Sequence, residues 1–122
     1  GIPLEELPGR RDRLLDAWRD AGRDPGTARL SLMTTCVAGR DQNEVEERVG
    51  RVLARTGSDD SVAKVIDARP NWLLGTVDQL AERLQSLEAA GVSRVMLQHL
   101  DHSDLDMVAV IGEVAATMGS TP

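Results

Sequence analysis

Two short clusters in this sequence have residue types and spacing that could do chemistry. In the first, Gly75 and Thr76 stand where an apolar run gives way to a helical pattern. Unpaired amides and the dipole at a helix start attract a phosphate, and a glycine there lets the backbone come close to it. The same residues also read as a purely structural device. The Thr76 hydroxyl can accept from an amide of the first turn, and Gln79 can reach back to the Thr76 amide, which completes a capping box. A phosphate seat and a plain helix cap are both open at this point. In the second cluster, Gln98, His99, Asp101 and His102 follow the last apolar run. Two imidazoles with Asp101 or Asp104 are acceptable ligand types, but their spacing matches no metal-binding pattern, so no metal site is expected. Pocket lining and an ordinary polar loop are the readings left. Cys36 lies in a strand-like run with no base identified beside it, and reads as a small core residue rather than a nucleophile. No carboxylate pair, Ser/His/Asp set or glycine-rich phosphate loop emerges, so no catalytic residue is assigned.

The elements that must position these clusters follow from hydrophobic spacing. Around the first, Val77, Leu80, Ala81, Leu84 and Leu87 recur at helical intervals, with Glu82, Arg83, Gln85 and Glu88 on the other side. Gly91 stands where a left-handed residue would end that helix. The run that follows places Val95 and Leu97 on one face and Met96 on the other, which predicts a strand buried on both faces of a parallel sheet. Residues 72–100 therefore read as a βαβ unit.

The rest of the chain repeats this pattern. Residues 1–8 read as a lead-in and 9–21 as a helix with Leu14, Leu15 and Trp18 on its apolar side. Its other face is densely charged and reads as solvated rather than as an anion site. Pro25 breaks it. Residues 28–38 alternate as a strand, and Asp41 with Glu44 marks the start of a helix over 42–55 that carries Val45, Val49, Val52 and Leu53 inward. Val62, Val65 and Ile66 suggest a short helix before a turn at 69–71. A last helix is expected over 104–118, with Leu105, Val108, Ile111, Ala115 and Met118 inward and 119–122 as a fraying tail. Strands near 28–38, 72–75 and 93–99, separated by helices, follow parallel α/β logic.

Composition bounds the function. The 122 residues suit one compact domain. The net charge of −6 is interspersed, and two Trp with no Phe or Tyr leave neither a basic face nor stacking platforms, so a nucleic-acid partner is excluded. No run reaches the ~20 apolar residues of a membrane span, and no membrane partner is expected. A lone cysteine fits a cytoplasmic location. A barrel of eight βα units takes about 250 residues, so this chain reads as roughly half of one.

The stretch WLLGTVDQLAERLQSLEAAGVSRVMLQ resembles the closing segment of the luciferase-like monooxygenase family, through Gly75-Thr76, Leu80-Ala81-Glu82-Arg83-Leu84, Ala90-Gly91-Val92 and Arg94-Val95-Met96-Leu97. Upstream, AGRDPGTARLSL and VAGRDQNEVEERV are similar to the helix, strand and helix before it. The family's usual proline after Gly-Thr is Val77 here. The resemblance implies the C-terminal part, about half, of a TIM barrel belonging to a flavin- or deazaflavin-dependent oxidoreductase or monooxygenase. FMN or coenzyme F-420 would be the cofactor of the intact parent, with none tightly held by this portion. Gly75 and Thr76 would meet its phosphate, and Gln98 and His99 would line the pocket near its ring.

Two functions follow. The chain is the closing part of such an enzyme, inactive by itself because most of the flavin-holding strands are elsewhere. Alternatively, it is a stand-alone half-barrel that acts by self-association or partner binding. Either way the expected partner is the missing N-terminal half-barrel or a second copy of the chain, through exposed strand edges at 28–38 and 92–100.

Overall fold

Strand β1 (Leu30–Gly39) is the centre of the molecule, a computed structural model that describes residues 4–68 and 71–118. Its sequence explains the position. Cys36, Val37 and Ala38 are consecutive, and all three are buried, so the C-terminal half of β1 is covered on both faces. Such a run has no solvent face and belongs inside a sheet.

Two parallel partners flank it in the order β2-β1-β3. The short β2 (Leu73–Thr76) pairs with the last four residues of β1, Cys36 opposite Leu73 through Gly39 opposite Thr76. β3 (Val92–Gln98) pairs with the earlier part, with Leu32 opposite Val95 and Thr34 opposite Leu97. The βαβ unit expected over 72–100 is therefore present, and β1 lies between its two strands. This corrects one expectation in part: the strand at 28–38 pairs with β3 along 30–35 and with β2 along 36–39, so neither of its sides is free along the whole length. β2 and β3 are the edges.

A second correction concerns burial. Met33 and Met96 are register partners, so they share one face of the sheet, and they are 50 % and 42 % exposed. Only the opposite face of β3, with Val95 and Leu97, packs against the core. An apolar residue on each face does not make both faces covered, and the methionines keep about half of their surface exposed.

The helices form where the spacing places them. Helix α1 (Leu7–Asp20) starts two residues earlier than expected, with Pro8 in its first turn, where a missing amide costs nothing. A 3-10 turn at Leu4–Glu6 precedes it, and another at Pro25–Thr27 follows it. Helix α2 (Gln42–Thr56) begins at Asp41, whose side chain accepts from the Glu44 amide, and ends on the left-handed Gly57. The short α3 (Val62–Ala68) lies where Val62, Val65 and Ile66 suggested it. Helix α4 (Val77–Ala89) ends before Gly91, which has a φ of +97°. Helix α5 (Leu105–Thr117) is capped by Asp104, but its inward side is not the expected one. Leu105, Val108 and Ala115 are exposed, and Met107, Val110 and Val114 are buried instead, because a helix apolar on several sides does not fix its inward side by spacing alone. Residues 69 and 70 of the expected turn, residues 1–3 of the lead-in and the tail at 119–122 lie outside the described residues. The apolar faces of α2, α4 and α5 meet the sheet in one core built on Val37, Val49, Leu80, Met107 and Val110. No helix among the described residues is long and apolar enough to cross a membrane.

Candidate functional site

Parallel pairing brings the ends of β1 and β2 level, Gly39 beside Thr76. The first turns of α2 and α4 therefore open at the same rim of the sheet. Between them lies a cavity of about 470 Å³, with an apolar floor of Val45, Ile66 and Leu74 and with Gln42, Gln79, Glu82 and Arg83 around it. Gly75 is part of its wall.

The capping box expected here is complete. The Thr76 amide donates to Gln79 Oε1 at 2.9 Å, and the Gln79 amide donates to Thr76 Oγ1 at 3.5 Å. This explains the glycine. Gly75 has a φ of +153°, and a Cβ added to it would lie 2.7 Å from Gln79 Oε1. The returning Gln79 side chain fills the space where a side chain at 75 would be. Two amides of this helix start are thus already engaged within the chain.

The second cluster is divided. Gln98 is exposed and, opposite Thr35, belongs to the face that carries Met33 and Met96. His99 is half-buried, with Nε2 2.8 Å from the Asp104 carbonyl oxygen. A carbonyl only accepts, so Nε2 carries the proton and Nδ1 is left as an acceptor. That Nδ1 is buried and has no hydrogen-bond partner among the described residues. The His102 ring stands edge-on to His99, with centroids 6.4 Å apart. Among the described residues no group of three or more His, Cys, Asp and Glu could hold a metal ion. Asp101 serves the loop itself: its Oδ1 accepts from the Ser103 hydroxyl at 2.6 Å, and that bond holds its carboxyl below the usual range. Cys36 is buried, and burial pushes its thiol up to about 12, which makes it a poor nucleophile at neutral pH.

The most heavily bonded group at this rim is one that sequence reasoning missed. Arg48, only 5 % exposed, donates from Nε to Asp104 Oδ2 (2.8 Å), from Nη2 to Asp106 Oδ2 (2.8 Å) and from Nη1 to the Ala38 carbonyl (3.0 Å). Arg51 reaches Asp104 at 3.3 Å, and Arg40 reaches Asp106 at 2.8 Å. Burial alone would lower the Arg48 pKa, but the hydrogen bonds to Asp104 and Asp106 outweigh it and the net shift is upward. The hydrogen bond from Arg48 leads the causes that hold Asp104 down, and the one from Arg40 does so for Asp106. The network ties the β3–α5 loop to α2 and β1. A signal was present: position 48 is three after Val45 and four before Val52, so it lies on the inward stripe of α2, where an arginine must find acids.

A second cavity of about 630 Å³ runs between α4, β3 and α5, lined mainly by apolar residues, with Glu88 and Arg94 among the lining side chains. It contains no residue of either cluster.

No protein-family model matches the chain, and no curated protein does. Among solved structures, the chain is similar to a long-chain alkane monooxygenase (LadA), with a TM-score of 0.68 and 18 % identity. The likeness covers 100 % of this chain and 36 % of that one, so the chain spans about a third of the length of that structure. At this identity the likeness concerns the fold. It establishes a three-stranded parallel α/β arrangement that matches part of a TIM barrel. It agrees at that level with the luciferase-like resemblance.

Proposed function

We propose that this chain is the closing portion of a luciferase-like oxidoreductase or monooxygenase whose cofactor is FMN or coenzyme F-420. The observation that carries the reading is the fold likeness to an alkane monooxygenase over the whole chain. The cavity at the Gly75 rim supports it further. Its volume is within the range of small-molecule pockets, and Arg83 supplies a cation on its wall. Gly75 and Thr76 meet the phosphate at the start of α4 once the Gln79 side chain, which occupies the Thr76 amide and the space beside Gly75, swings away. Gln98, on the open sheet face, lines the ring end, and the half-buried His99 supports the loop behind it through its bond to the Asp104 carbonyl. The cofactor supplies the redox chemistry when bound; these residues bind, orient and exclude water.

The same geometry supports an incomplete site. The sheet face with Gln98 is open beside Met33 and Met96, so further strands are needed to enclose a ring. The chain alone holds no cofactor tightly and turns none over; its partner is the N-terminal part of the barrel. The exposed outer face of α5 favours a second reading, in which the chain acts by self-association.

Titration calorimetry of the purified chain with FMN and, separately, with F-420 tests the site. The expected result is weak binding that Arg83→Glu abolishes, with no turnover. Stoichiometric, catalytically competent binding by this chain alone would overturn the incomplete-site reading. Binding that is indifferent to Arg83→Glu would overturn the phosphate assignment.

A further inference from the structure

The sequence has four methionines, and the fold treats them unequally. Met107 is in the core at 1 % exposure, and Met118 is half-buried against the groove of α4, β3 and α5. Met33 and Met96 are exposed to about half of their surface, although methionine is among the residue types most often found inside. These two are register partners. Neighbouring strands lie about 4.8 Å apart, so the two thioethers stand side by side on one face of the sheet.

The surroundings differ from those of an apolar contact surface. On the same face the row before holds Ser31 and Arg94, and the row after holds Thr35 and Gln98. Ser31, Arg94 and Gln98 are exposed, and they carry hydroxyl, guanidinium and amide donors. Two electron-rich sulfurs are thus set between hydrogen-bond donors, within reach of a small dissolved oxidant. A thioether needs no deprotonation to react. The one thiol, Cys36, is buried and pushed up to about 12. Oxidation turns a methionine from a flexible apolar side chain into a polar one. On this face the new oxygen meets donors and water, whereas at Met107 it would be shut into the core.

We propose that Met33 and Met96 form a reversible oxidation site, which a peroxide converts to methionine sulfoxide without loss of the fold. A lone pair of each sulfur attacks one oxygen of hydrogen peroxide. The S–O bond forms as the O–O bond breaks, the sulfur gives up two electrons, and the departing oxygen leaves as water with both protons. A thiol-dependent methionine sulfoxide reductase reverses the step. It removes the oxygen as water while two thiols become a disulfide. Oxidation makes the whole row polar, so the face from Ser31 to Gln98 loses its apolar centre. The site does not depend on the cofactor assignment.

Peptide mapping by mass spectrometry, after brief treatment of the purified chain with hydrogen peroxide, tests this. Met33 and Met96 are expected to take up oxygen at least about tenfold faster than Met107, which a peroxide reaches only through opening of the core. Met118 falls between, and the far-ultraviolet circular dichroism is unchanged. Both classes of sulfoxide reductase with dithiothreitol restore the original mass. The double variant Met33→Leu, Met96→Leu keeps the circular dichroism and loses the fast uptake. Oxidation of Met33 and Met96 no faster than that of Met107 overturns the proposal, as does fast uptake that persists in the double variant. Unfolding on their oxidation, or sulfoxides that the reductases leave in place, overturns it equally. None of these outcomes reports on cofactor binding, which calorimetry reads separately.

Discussion

Arg48 carries more of this molecule's polar organisation than any residue of the two clusters that first draw attention. Removing one member of a buried ion pair leaves the other charge desolvated and costs about 3–5 kcal/mol. Arg48→Leu is therefore expected to lower the stability by about 3 kcal/mol, measured by urea denaturation, with Arg51 offsetting part of the loss at Asp104. A change below about 0.5 kcal/mol, the range of ordinary surface substitutions, would contradict the network's role. The pH dependence has a definite sign. Asp101, Asp104 and Asp106 all have folded pKa values below their ordinary ones. Their stabilisation is thus complete above the unfolded carboxylate value of about 4, and is lost as pH falls through the folded values. Thermal melting should drop in that acid window, and more shallowly in Arg48→Leu. At Gly75 the prediction is coupling. An added Cβ meets the Gln79 side chain, so Gly75→Ala and Gln79→Ala should interact by about 1 kcal/mol in a double-mutant cycle; additivity would show that the two do not share that space. The capping box is legible in the sequence because it is local: Thr76 and Gln79 are three residues apart. The Arg48 network is not, since Asp104 and Asp106 are more than fifty residues away and only the fold brings them together.

At the scale of elements, the helix spans were legible, while the inward side of α5 and the neighbours of each strand were not. Val45, Val49, Val52 and Leu53 announce α2 by their spacing, and Asp41 announces its start. For β3, the sequence shows Val95 and Leu97 on one face and Met96 on the other, but a period of two cannot say what lies beyond each face. Strand order is equally silent: nothing local to residues 72–100 reveals that β1 separates β2 from β3. The pairing predicts the exchange behaviour of the amides. Those of Cys36, Val37 and Ala38 lie in a central, buried strand and should exchange slowly, while the amides of β3 that point away from β1 should exchange quickly. Uniform protection along β3 would mean that its outer edge is covered in solution.

For the whole molecule, composition gives the expectation of no nucleic-acid partner, and periodicity reaches a parallel α/β fold. The step to a barrel portion needs the fold likeness, because three strands with an open methionine face do not by themselves name what closes them. That open face, the cavity at Gly75 and the match to 36 % of a monooxygenase chain all support the proposal that these residues are one part of a longer cofactor-binding barrel. Native mass spectrometry of the gene product purified from its source tests this most directly. The account predicts a chain longer than 13.2 kDa that contains this sequence and carries one FMN or F-420. A gene product of that mass or its double, free of cofactor and without oxidoreductase activity, would contradict it.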